Sequence, residues 1–159
     1  MNHETWTYTL LDTLNIPYER LDHEPISSVK DTDIVLPGQQ VKNLCLKTKK
    51  GKDYYLIILK DEKIADLKQL ATLLGKNRLS FVNEEELANL LHVTPGTVTP
   101  FGLHFDTEQK IQVIIDKEVD PTLTVGFHPF INTTTLNIAY SDFLRFLEYT
   151  NHSPLIISC

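Results

Sequence analysis

In the run VKNLCLK, residues 41 to 47, a lysine and an asparagine stand side by side in a pattern that reads as a β-strand. The side-chain period of two groups Lys42 with Leu44 and Leu46, and Asn43 with Val41, Cys45 and Lys47. Burial disfavours an ammonium, so a lysine on a leucine face loses its charge, meets an anion or borders a wet cleft. The alternative is an edge lysine whose stem lies on the leucines while its head reaches water. In a cleft, such an ammonium is placed to meet an anion.

Other candidates have the same two-sided character. His128 lies in GFHP, where Gly126 permits unusual backbone angles and Pro129 stiffens the exit, so its imidazole is either held for hydrogen bonding near neutral pH or simply donates to a carbonyl. The loop Gly96-Thr97-Val98-Thr99-Pro100 is an ordinary connection or one whose backbone faces a ligand. Asn132, Thr133, Thr134 and Thr135 offer an amide and hydroxyls to a ligand or to turn backbone. Lys47, Lys49, Lys50 and Lys52 form the densest basic segment, a solvated hairpin tip or a small phosphate clamp. No GxSxG, no GK[ST] phosphate loop and no local Cys-His pair supports a covalent mechanism. The histidines show neither HxxxH nor HxH spacing, and Cys45 and Cys159 lack ligand spacing, so no metal and no cofactor is expected.

These residues need elements to position them. Trp6, Leu10, Leu11 and Leu14 recur at helical spacing from Glu4 to about Leu14. Tyr18 to Asp22 reads as extended, and Ser27 to Asp33 as a polar helical turn. The segment 48–52 closes a hairpin whose second strand, Tyr54 to Leu59, is apolar throughout and therefore covered on both faces. Asp66 starts a helix ending at Gly75, Asn83 with Glu86 forms a capping box for another, and Ser141 caps a last helix reaching Tyr149. Residues 111–115 and 133–138 are β-type runs, and 94–102 reads as loop. The order suggests an α+β fold around one mixed sheet.

With 159 residues, 42% apolar and 23% charged, the chain has room for a single domain over residues 1–159. A net charge of -6 argues against a broad basic face for nucleic acid. No long apolar run or signal-like N-terminus is present, so a cytoplasmic protein is expected, with no membrane and no DNA as partner.

Taken in order, VKNLCLK, KGKDYYLIIL, DLKQLATLLGKNRLSF, EEELANLLHVTPGTVTPFGL, DKEVDPTLTVGFHPFINTTTL and SDFLRFLEYTNHSPLII resemble the aminoacyl-tRNA deacylases of the YbaK/ProX type, relatives of the editing domain of bacterial prolyl-tRNA synthetases. Each motif is modest, but the ordered set covers nearly the whole chain, and GFHP with the closing helix points to the free-standing ProX branch. The resemblance implies a mixed, mostly antiparallel and partly barrel-like sheet flanked by helices. It implies hydrolysis of a mischarged aminoacyl-tRNA, typically alanyl-tRNA for proline, with the acceptor end of tRNA as partner and a prolyl-tRNA synthetase as a further one. An editor of cysteinyl- or seryl-tRNA and a non-catalytic aminoacyl-binding module are the alternatives.

Carried over by motif, Lys42 and Asn43 are the catalytic pair. Gly96, Thr97, Val98, Pro100, Gly126, His128, Asn132 and Thr133 surround the substrate, and Lys47, Lys49, Lys50 and Lys52 meet tRNA phosphates. Two departures stand out: Phe130-Ile131-Asn132 follows GFHP where the family has more polar residues, implying a more apolar rim, and Thr134 replaces an alanine, adding a hydroxyl.

Overall fold

Capping and β-branched runs set most element boundaries. In the computed structural model, which describes residues 2–25, 36–50 and 53–159, the Asn2 side chain accepts from the Thr5 amide and opens helix α1 (His3–Thr13). There follow β1 (Glu19–Asp22), β2 (Val41–Thr48) and β3 (Tyr54–Lys60), then α2 (Leu67–Leu73) capped by Asp66. After β4 (Leu79–Phe81), the Asn83–Glu86 capping box starts α3 (Glu84–Leu91). A 3-10 helix (Pro100–Phe105), β5 (Ile111–Asp116), β6 (Thr124–Phe127), β7 (Thr134–Ala139), α4 (Tyr140–Tyr149) and β8 (Leu155–Ile157) complete the chain. The expected turn at Ser27 to Asp33 lies outside the described residues.

The fold is α+β, but the strands divide into two sheets instead of one. The smaller is antiparallel, in the order β1-β7-β6; the larger runs β4-β2-β3-β5-β8. In the larger sheet β2 pairs antiparallel with β3 and β4, whereas β3, β5 and β8 are parallel. The β6–β7 hairpin pairs onward with β1 and leaves β5 to β8. Just before β2, Gln39 bridges to Val125 of β6, its amide 3.0 Å from the Thr124 carbonyl. That link joins the two sheets at one point, the partly barrel-like feature.

Strand β3 is central and covered on both sides, as its unalternating composition predicts. Leu56 and Ile58 join Val113, Ile115, Phe101, Phe143 and Phe146 in the main core, whereas Ile57 and Leu59 pack with Leu46, Ile114, Leu70 and Ala71 beneath α2. Ile57 and Ile58 are fully buried, so truncating either to alanine costs about 2–5 kcal/mol.

Local reading failed at a few points. Ser141 does not cap α4: β7 runs straight into the helix, so Ala139 holds the N-cap position without a side-chain bond. The segment 100–105 forms a 3-10 helix where a loop was expected, opened by Thr99 and Pro100. It passes so close to α3 that a Cβ on Gly102 would stand 2.4 Å from the Leu91 carbonyl oxygen. Strands β4, β6 and β8 are too short to carry a periodic signal.

Helix α1 docks through rings. Trp6 lies over His104 with centroids 4.2 Å apart, and Phe105 stacks on His92 at 3.9 Å while His3 meets both edge-on. The end of α4 is tied down by a buried pair, His152 Nε2 lying 2.8 Å from Asp106 Oδ2.

Candidate active-site cleft

Strand β4 pairs only with Leu46, Lys47 and Thr48, leaving the outer edge of β2 open from Val41 to Leu44. A cleft of about 280 Å³ runs along that edge, closed by the 95–98 loop and the β6–β7 hairpin. Because it follows an edge and not a face, residues of opposite orientation reach it: Lys42 and Leu44 from one side of the strand, Val41 and Asn43 from the other. Ligand pockets commonly begin near 300 Å³, so the cleft suits a small group on the end of a larger ligand.

Lys42 sits opposite Leu59, itself fully buried, with Leu44 in the packing layer under α2. Its side chain is half-buried, and among the described residues its ammonium has neither a hydrogen bond nor an ion pair. Asn43 is held by its Nδ2, which donates to the Val98 carbonyl at 3.4 Å, while its Oδ1 is buried without a partner among the described residues. An orphan acceptor of this kind costs about 1–3 kcal/mol unless a ligand or water satisfies it.

His128 lies 2.9 Å through Nδ1 from the Thr134 carbonyl. A carbonyl only accepts, so Nδ1 carries the proton and Nε2 is left with a lone pair when the ring is neutral. Burial keeps it neutral: it pushes the imidazole below the ordinary histidine range, against the Thr134 bond and with help from His23 nearby. His23 reaches the same wall, its Nε2 2.8 Å from the hydroxyl of Thr135. Gly126 keeps the hairpin wall thin, since a Cβ there would lie 2.8 Å from Thr135 Cγ2.

Of the residues expected around a substrate, Lys42, Asn43, Gly96, Val98, Gly126 and His128 line the cleft together. Thr97 does not; its hydroxyl accepts from the Thr94 amide at 3.0 Å and folds the loop on itself. Pro100 is buried as the first residue of the 3-10 helix, and Asn132 and Thr133 lie off the cleft while Thr135, two residues on, faces it. Sequence reading also missed Gln40, Asp61, Pro95 and Phe127. The apolar rim does not materialise at Phe130: its backbone takes φ +70° and its ring packs on His3 and Phe105. The Thr134 hydroxyl likewise donates to Asp22 at 2.8 Å, away from the cleft.

The basic segment separates as well. Lys47 is not free for a phosphate, since its ammonium sits 2.5 Å from Glu86 of α3, with the Tyr54 hydroxyl on the same carboxylate. Lys52 lies outside the described residues. Lys49 and Lys50 border a second cleft, of about 290 Å³, with Arg78 and with Lys76, which is 3.0 Å from Asp53.

Residues 23–146 match the profile of the aminoacyl-tRNA editing domain, a span that holds every cleft residue named above. The chain belongs to that family. The editing protein ProX of Acetoanaerobium sticklandii, described as a prolyl-tRNA editing protein, is 35% identical over 142 residues, 87% of this chain and 86% of the relative. A prolyl-tRNA synthetase associated domain-containing protein 1 from Danio rerio is 34% identical over 153 residues, covering 93% of this chain and 83% of its own length. A crystal structure described as a candidate trans-editing enzyme for prolyl-tRNA synthetase superposes with a TM-score of 0.71 at 17% identity, covering 98% of this chain and 96% of the other, a likeness of fold. Within the editing-domain family the chain falls on the ProX branch, and its cleft runs along the part of β2 that β4 leaves uncovered. Among the described residues, no helix is long and apolar enough to cross a membrane.

Proposed function

We propose that this editing domain acts in trans as an aminoacyl-tRNA deacylase, removing alanine from mischarged tRNA for proline. The observation that supports this most directly is the convergence on one small cleft of Asn43, the neutral His128 and a Lys42 ammonium that is unpaired among the described residues. A synthetase built for proline cannot refuse the smaller alanine sterically, and a one-methylene difference discriminates by only about 1–3 kcal/mol. A second site that admits a methyl and excludes a ring completes the sieve. Val98, Leu44 and the thin wall at Gly126 supply that restricted space.

In the reaction, water oxygen attacks the ester carbonyl carbon and the carbonyl oxygen becomes an oxyanion. The bond to the ribose oxygen then breaks, and the proton from water leaves with the ribose hydroxyl. Lys42 stabilises the oxyanion and orients the ester. Asn43 holds the substrate end, and the Nε2 lone pair of His128 accepts from the terminal ribose hydroxyl or the water, consistent with substrate-assisted attack. Gly96 and Val98 shape the rim. Lys49 and Lys50, without Lys47, form the phosphate clamp for the acceptor stem, and a prolyl-tRNA synthetase is the partner that would deliver substrate.

The deciding experiment is a deacylation panel of alanyl-, cysteinyl-, seryl- and prolyl-tRNA with the native protein and Lys42→Ala. Faster release from alanyl-tRNA for proline, abolished in the variant, is expected; binding without turnover on any member would instead establish a non-catalytic module.

A further inference from the structure

Asp61 is the residue of the cleft that neither its sequence context nor the proposed chemistry accounts for. It follows β3, where Lys60-Asp61-Glu62-Lys63 reads as a charged turn, yet Asp61 is only 9% exposed and lines the same cleft as Lys42. Its amide donates to the Gln40 carbonyl at 3.0 Å, extending the β2–β3 register by one pair beyond Val41 opposite Lys60. In that register Gln40 faces Asp61 and Lys42 faces Leu59, so Lys42 and Asp61 are diagonal neighbours on one side of the sheet. Among the described residues the Asp61 carboxylate has no hydrogen bond, and no ion pair with Lys42 or any other cation. A carboxylate so far withdrawn from water calls for a cationic partner.

Resting on the deacylase reading above, we propose that Asp61 is a positioning and specificity residue that receives the α-ammonium of the aminoacyl group. An α-amino ester carries its positive nitrogen and its carbonyl oxygen on adjacent carbons. A carboxylate and an ammonium set side by side, unpaired, match that arrangement: Asp61 takes the nitrogen end and Lys42 the oxygen on which negative charge grows. The pair therefore fixes which way the ester enters, and it selects α-amino esters over esters whose α-carbon bears a neutral group.

Alanyl-tRNA and lactyl-tRNA test this directly, because they differ only in carrying an ammonium or a hydroxyl on the α-carbon. With rates normalised to the uncatalysed hydrolysis of each ester, the native protein is expected to prefer alanyl- over lactyl-tRNA by about 30-fold in kcat/KM. Asp61→Asn should lower kcat/KM for alanyl-tRNA by a similar factor while leaving lactyl-tRNA within about 3-fold, collapsing the preference. Equal treatment of the two esters by the native protein overturns the assignment without needing any variant, and so does an Asp61→Asn protein that loses activity on both alike. Hydrolysis of neither ester by the native protein would overturn the deacylase reading itself, a distinct result.

Discussion

In the proposed reaction Lys42, His128 and Asp61 carry the chemistry of the cleft, and the first two leave signatures of their own. Lys42→Ala removes the sole cation that lines it among the described residues, so deacylation is expected to fall by about 10²–10³-fold with an unchanged melting temperature; near-native turnover would sink the central assignment. In the proposed reaction His128 governs the acid side of the pH profile. Burial holds its imidazole below the usual value of about 6.5, so Nε2 stays an acceptor at neutral pH and becomes a donor only at lower pH. The kcat/KM profile should therefore decline with an apparent pKa below that value, and the decline should vanish in His128→Gln, which can be read in single-turnover assays between pH 4.5 and 8. Lys42 was legible because period-two alternation places a charge among leucines. Asp61 was not, because a carboxylate in KDEK looks like a solvated turn until the chain before β2 closes over it.

Among the elements, the tie between the 3-10 helix and the end of α4 carries the clearest consequence. Burial pushes the Asp106 carboxyl up, but hydrogen bonds from His152 and from the Ile111 and Lys110 amides outweigh it and leave it below the usual carboxylate range. A depressed carboxyl contributes stability that is present above its unfolded value, near pH 4, and lost as pH falls through the lower folded value. Urea unfolding from pH 7 down to pH 2.5 should show this loss, and His152→Ala should cost about 3 kcal/mol at pH 7 by stranding a buried charge. Elements with strong local signals were readable: the Asn83–Glu86 box, the Asp66 cap and the unalternating β3. The Lys47–Glu86 pair was invisible because its partners are 39 residues apart and only the packing of α3 against β2 joins them.

For the molecule as a whole, a net charge of -6 confines attraction for RNA to local features. The cleft at Val41 and the basic cleft at Thr48 sit at opposite ends of β2, roughly 20 Å apart at about 3.3 Å per residue. Replacing Lys49 and Lys50 with alanine should flatten the log–log salt dependence of tRNA binding by about 1.5, whereas Lys47→Met should leave the slope alone while weakening the fold by up to about 1 kcal/mol. Fluorescence anisotropy across a salt series separates the two. The α+β class and family pattern were legible across most of the chain, but the division into two sheets was not, since it depends on β6 and β7 turning to β1.

The ring contact that docks α1 has a spectroscopic consequence. Trp6 is the single tryptophan of the chain, and its indole lies 4.2 Å from the His104 imidazole. A protonated imidazole at that distance quenches indole emission by accepting an electron from the excited ring. Burial delays that protonation to below the ordinary histidine range, so the protein should stay bright through neutral pH and dim only in acid. The N-terminal helix thus brings its own optical probe, one that reports whether it is seated without any label being attached.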